Sequence, residues 1–164
     1  MSATLGIVIE ARSRACGAWQ PVPVDGLLAH RQFGRLAIGS TATECPVYTL
    51  AAPSAMLELL RGGWGAEKTC IPLQEGVGLP VDASAACTRD VEALADPERG
   101  SLGWFTSARL QNYPWAAGRR EPLEDESWLQ EPFDPALMRE ASHLEAILLG
   151  LGAPADVRVI MFLV

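Results

Sequence analysis

Asp134-Pro-Ala-Leu137-Met-Arg-Glu-Ala141-Ser-His-Leu144-Glu-Ala-Ile-Leu148-Leu-Gly-Leu151-Gly152, then Val157-Arg-Val-Ile-Met-Phe-Leu-Val164, is the stretch that decides the fold. Leu137, Ala141, Leu144, Leu148 and Leu151 recur every three or four residues, so Asp134-Pro135 opens an amphipathic helix. Gly150 to Pro154 stops it. The residues that follow carry apolar side chains on both faces, so this strand has no wet side and belongs inside a sheet. Residues 5 to 11 supply a second strand, with Leu5, Ile7 and Ile9 on one face. A turn at Cys16-Gly17-Ala18 leads to residues 19 to 24, which complete an N-terminal hairpin whose Pro21 and Pro23 suit an edge. The expected architecture is one α+β domain over residues 1 to 164. It has a small mixed sheet, a central C-terminal strand and helices packed on it. Pairing the two ends of the chain implies high contact order and slow folding.

Between these ends the signals are shorter. Residues 27 to 38 suit a helix, and residues 46 to 50 a short strand. Pro53 suits a first helical position, with Met56, Leu59 and Leu60 as a buried stripe before Gly62-Gly63. Residues 69 to 73 suit another strand, and residues 76 to 80 a loop. Ser84 is placed to cap a helix reaching residue 94 or 95, and Thr106 to cap a short one over residues 107 to 113, broken by Pro114. Pro97 to Gly100 suits a turn. Residues 116 to 134 look least regular.

Composition narrows the function. Hydrophobic residues make up 49% and charged residues 20% of the 164, which is ordinary for a folded protein. Thirteen basic against 20 acidic residues give a net charge of −7. Such a surface repels phosphate backbones and anionic lipid, so neither nucleic acid nor membrane is an expected partner. Lys68 is the only lysine, a bias typical of high-GC bacterial or phage genes. The start lacks the basic flank and apolar length of a signal peptide, and no apolar run suffices to cross a bilayer, so the expected location is cytoplasmic. Cys16, Cys45, Cys70 and Cys87 form no close-spaced pair. No metal or cofactor is therefore expected, and the thiols read as small core residues.

Few motifs carry chemistry. Gly62-Gly-Trp-Gly-Ala-Glu67-Lys68-Thr69 approaches a phosphate-binding loop, but Glu67 stands where a second glycine is required and Pro72 prevents the following helix. His30 has no partner at a telling distance. His143 falls on the polar face of the last helix with Arg139 and Glu140, where local pairing accounts for it. The acidic stretch from Glu121 to Glu131 contains Glu124, Asp125 and Trp128, followed by Phe133. Aromatic side chains amid acids make specific contact surfaces, so these residues are the candidate docking loop for a protein partner. Trp104 is a further binding candidate, although it and Trp115 flank a short helix and suit sealing the core better than binding a ligand.

Three segments together resemble a family of small uncharacterised phage and bacterial proteins. They are Gly78-Leu-Pro-Val-Asp82-Ala-Ser84, Gly103-Trp104-Phe105-Thr106, and Ala155-Asp156-Val-Arg158-Val-Ile-Met-Phe162. The family pattern begins Met-Gly-Cys-Asp-Ile-His on a strand ending in Glu. It continues with Gly-Leu-Pro-x-Asp-Val-Ser, then Asp-Ala-His-Ser-x-Ser-Trp-Leu-Thr, and ends on a strand like Asp-Val-Arg-Leu-Val-Phe. Glu10, Asp82 and Trp104 match. Ala3, Thr4 and Gly6 replace the opening Cys, Asp and His, and residues 98 to 100 replace the Asp-Ala-His. The resemblance implies a shared scaffold and no activity to carry over. A non-catalytic protein-binding or accessory protein is thus the first expectation. A small hydrolase assembled from Glu10, Asp82 and His143 is the rival, and a structural homo-oligomer the third reading.

Overall fold

The computed structural model describes residues 5–24, 33–35, 45–50, 53–63, 68–96 and 103–164. Strand β1 (Leu5–Arg12) and strand β9 (Val157–Leu163) pair antiparallel over seven positions, from Leu5↔Leu163 to Ala11↔Val157. All seven residues of β9 are buried, as a strand covered on both faces must be. On its far side β9 pairs with β6 (Gly103–Thr106), and β6 with β5 (Gly76–Val77). On the outer side of β1, β2 (Trp19–Pro21) takes one end and β4 (Tyr48–Leu50) the other, and β3 (Phe33–Arg35) pairs with β4. The path runs β3-β4-β1-β9-β6-β5, and every described pairing is antiparallel. The α+β class and the central C-terminal strand are as the sequence indicates.

Strand alternation then sorts the core into two layers. Leu5, Ile7 and Ile9 of β1 and Val157, Val159, Met161 and Leu163 of β9 face one cluster. That cluster is closed by α1 (Pro53–Arg61), α3 (Ser107–Gln111) and α4 (Pro135–Leu149), through Leu59, Leu60, Leu110, Ala141, Leu144 and Leu148 among others. Val8, Ile160 and Phe162 face the other way, onto Cys87 and Val91 of α2 (Ala85–Leu94) and onto Cys45 and Val47. Gly6 lies opposite Phe162, and a Cβ on Gly6 would run into the Phe162 ring. Among the described residues no helix is long and apolar enough to cross a membrane.

The helix caps match the sequence closely. Ser84 Oγ accepts from the Cys87 amide, Thr106 Oγ1 from the Arg109 amide, and Asp134 from the Ala136 amide. Gly62, at φ 78°, ends α1.

Other expectations fail for identifiable reasons. The helix expected over residues 27 to 38 is a strand at residues 33–35, the rest of that span lying outside the described residues. Gly34 weakens a helix there by about 1 kcal/mol, and three pairs with β4 win. Residues 69 to 73 form no strand. Pro72 lacks an amide donor, the Leu73 and Gln74 amides cap the carbonyls of Leu59 and Leu60, and Arg109 binds the Pro72 and Leu73 carbonyls. Within the expected loop at residues 76 to 80, Gly76 and Val77 form β5, because Gly76 alone admits the Trp104 indole above it. The least regular stretch holds a second sheet, β7 (Arg119–Pro122) paired with β8 (Trp128–Glu131). The turn at residues 97 to 100 lies outside the described residues, as do His30 and Trp64.

Candidate functional site

Arg158 is the one charged residue in β9, and its side chain is 3% exposed. A buried guanidinium needs carboxylates in reach, and the register places Glu10 directly opposite. Arg158 Nε donates to Glu10 Oε1 at 2.9 Å, while Nη1 donates to Asp82 Oδ1 at 2.7 Å. Nη2 also lies 2.8 Å from Glu10 Oε1, as an ion pair without hydrogen-bond alignment. Glu10 Oε2 accepts the Ser84 amide at 3.0 Å, and Asp82 Oδ2 accepts the Trp19 indole N–H at 3.1 Å. The Arg158 guanidinium stacks 3.9 Å from the Trp19 ring centre, with that of Arg12 at 5.0 Å, a cation–π arrangement. The Arg158 guanidinium beside Asp82 holds its carboxyl below the usual carboxylate range. The Cys87 thiol is pushed up by its hydrogen bond with Cys45, then by burial and by the charge of Glu10.

A cleft of about 560 Å³ opens over this knot, lined by Trp19, Gln20, Pro21, Asp82 and Ser84 with the first residues of α2. Its acid and its serine are already engaged. Asp82 holds Arg158 and Trp19, and the Ser84 hydroxyl caps α2. Glu10 is fully buried. The knot ties β1, β2, β9 and the loop before α2 together, which is structural work. Among the described residues no group of three or more His, Cys, Asp or Glu side chains converges as a metal site requires.

The second feature is the β7–β8 hairpin, which stands apart from the main sheet. Its root is fixed. Arg119 donates through Nε and Nη2 to Glu58 Oε1 of α1 at 3.1 and 2.7 Å, Thr69 Oγ1 donates to the same oxygen, and the Arg120 amide donates to the Thr69 carbonyl. Tyr113, Trp115 and Phe133 pack edge to face beneath it. Beyond this root, burial falls away. Trp128 is 55%, Leu129 44% and Leu123 45% exposed. The turn carries Glu124, Asp125 and Glu126, all exposed, and Asp125 accepts from the Ser127 amide and hydroxyl, which lowers its carboxyl below the usual range.

The structure brings some of the sequence candidates together and separates others. Glu124, Asp125 and Trp128 share the hairpin. Trp104 is half-buried against the α2-side cluster, whereas the hairpin is rooted on α1 and Phe133 at the opposite cluster. Glu10 and Asp82 meet on Arg158, but His143 belongs to α4, across the sheet from Glu10. His143 is half-buried and Glu140 buried, not fully solvated. Glu140 sits between Leu137 and Leu144 on the helix, so the inward stripe carries it under. The thiols divide: Cys45 and Cys87 are buried, Cys70 is half-buried, and Cys16 is exposed in the hairpin turn. Sequence reading missed the Arg158–Trp19 stack. Its signal was available, since a lone arginine in an apolar strand demands an acid from its neighbour, and Glu10 is the only acid in β1. Comparison with protein-family models, curated proteins and solved structures finds no match to this chain.

Proposed function

We propose that this chain is a non-catalytic protein-binding protein, an accessory factor of the phage and bacterial type it resembles, and that the β7–β8 hairpin is its contact surface. The observation that carries this reading is Trp128, left 55% exposed beside Leu129 and an acidic turn. Large apolar side chains grouped on a projecting element cost solvation unless a partner covers them, and tryptophan is the residue most enriched among interface hot spots. The acids beside it favour a basic partner and repel other anions.

The rival hydrolase reading has less support. Its three residues do not converge, and the carboxylates of Glu10 and Asp82 are engaged by Arg158. A general acid or base must reach a substrate proton, and Glu10 is fully buried.

Affinity capture from cells of the source organism tests the proposal, using the chain and a variant carrying Glu124→Gln, Asp125→Asn and Trp128→Ala. A specific partner is expected with the unaltered chain and not with the variant, since losing a hot-spot tryptophan weakens binding by roughly 30-fold. Equal capture by both removes the hairpin from the reading.

A further inference from the structure

We infer that the hairpin takes its partner by strand addition: a basic, extended segment of another protein pairs with the outer edge of β8. This deepens the proposed function and rests on the hairpin being the contact surface.

The argument begins with which backbone groups point outward. The register pairs Arg119↔Glu131, Arg120↔Gln130, Glu121↔Leu129 and Pro122↔Trp128. In an antiparallel pair, successive residues alternate between groups turned toward the partner strand and groups turned away. The Arg120 amide donates outside the hairpin, to the Thr69 carbonyl at 2.6 Å, so Arg120 is an outward position. Its partner Gln130 is then outward too, and so is Trp128 two residues earlier. The Leu123 amide bonding the Ser127 carbonyl at 2.9 Å fits this phase, because odd positions of β7 then point inward.

The two outer edges therefore differ. That of β7 is occupied at Arg120 and has no donor at Pro122. That of β8 presents the N–H and C=O groups of Trp128 and Gln130, none with a backbone partner outside the hairpin among the described residues. The Gln130 side chain bonds the Ala117 carbonyl and leaves its own edge uncovered. Trp128, Leu129 and Gln130 are exposed. Natural edges are blunted by shortness, charge, proline or a bulge; β8 is four residues long and ends in Glu131, but it has no lysine, proline or bulge along its outward positions. Such an edge is a template for an added strand.

Charge selects the occupant. Leu129 and Glu131 lie on one face with Glu121 across, Trp128 and Gln130 lie on the other, and Glu124, Asp125 and Glu126 crown the turn. A guest strand alternating basic and apolar residues sets its cations on the face of Leu129 and Glu131 and its apolar side chains beside Trp128. Arg119 is paired with Glu58 at 2.7 Å and with Glu121 at 3.6 Å, so Glu131 and the turn acids supply the charge that draws a basic guest. A second copy of this chain would bring the same acidic turn, with a net charge of −7, against its twin, and like charges across strands are destabilising.

Titration of the whole chain with a short capped peptide of alternating lysine and valine tests this. Two control peptides accompany it. One keeps the sequence but has its central backbone nitrogens methylated, which removes the donors and leaves charge unchanged. The other replaces lysine with glutamate. The lysine–valine peptide is expected to bind at least about tenfold tighter than either control. Hydrogen exchange at the Trp128 and Gln130 amides is expected to slow about tenfold on binding. Gln130→Pro removes an outward donor at an edge position where proline is tolerated, and should weaken binding while leaving the thermal midpoint of the rest of the chain in place.

Equal binding of the methylated peptide, unchanged exchange at both amides, or no binding up to millimolar concentration each overturns strand addition. Protection of the same amides in a dimer of the chain alone assigns the edge to a second copy and overturns it as well. If all peptides bind equally and Trp128→Ala weakens all of them, the hairpin stays the contact surface and only strand addition fails.

Discussion

Glu10→Gln is the perturbation whose cost follows most directly from the structure. Glu10 is fully buried and accepts two hydrogen bonds, from Arg158 Nε at 2.9 Å and the Ser84 amide at 3.0 Å, with Arg158 Nη2 at 2.8 Å as a further ion-pair contact. Glutamine has the same shape but one acceptor oxygen. It can serve Arg158 or Ser84, and it turns an NH₂ group toward the other donor. The guanidinium, 3% exposed, is left with Asp82, whose side chain is 60% exposed and screened by water. Removing one member of a buried pair costs about 3–5 kcal/mol because the remaining charge stays buried. That is from about a fifth to all of a typical domain stability of about 5–15 kcal/mol. With a urea slope of about 2 kcal/mol/M, the unfolding midpoint should fall by roughly 1.5–2.5 M. Tryptophan fluorescence serves as the probe, because Trp19 stacks on Arg158. Replacing both partners with apolar residues, Glu10→Leu with Arg158→Met, should cost less than the single change, because no charge is stranded. A loss below about 1 kcal/mol for Glu10→Gln would refute the reasoning.

Three further outcomes follow from the same geometry. The Asp82 carboxyl is held below its ordinary value by Arg158, so its contribution is present above about pH 4 and lost as the pH falls through the lowered value; the urea-midpoint gap between wild type and Asp82→Asn should stay constant between about pH 5 and 8 and shrink only on acidification below about pH 4. Gly118 sits at φ 65° with the Glu131 carbonyl where a Cβ would go, so Gly118→Ala should cost about 1–3 kcal/mol, read as faster hydrogen exchange in residues 119–131 while β1 and β9 keep their protection. Cys16 is exposed and its thiol is lowered, first by a backbone hydrogen bond at Ala18; a thiol reagent in native buffer should label Cys16 first and Cys70 slowly, with Cys45 and Cys87 reacting only on unfolding.

Sequence reading succeeded where the signal was long or chemically specific. The α4 stripe, the apolar β9 and the alternation of Leu5, Ile7 and Ile9 each span several residues, and the caps Ser84, Thr106 and Asp134 depend only on local hydrogen bonding. It failed where partners distant in sequence decide the outcome. Residues 33–35 are a strand because Tyr48–Leu50 lies beside them. Gly103–Thr106 escaped notice as a strand because Thr106 ends the strand and caps α3 in one residue. The β7–β8 hairpin is hidden because its strands bury almost nothing and so show no apolar alternation. Glu124, Asp125 and Trp128 were legible as a cluster, but their presentation on an open-edged hairpin depends on Arg119 reaching Glu58 and Arg120 reaching Thr69.

Placing a photocrosslinking amino acid at position 128, and separately at position 20 in the cleft, tests most directly where this protein meets its partner. After irradiation in cells of the source organism, position 128 is expected to give a discrete adduct with a second, basic protein, and position 20 none. An adduct at position 20 with nothing at position 128 would contradict the assignment of function to the hairpin.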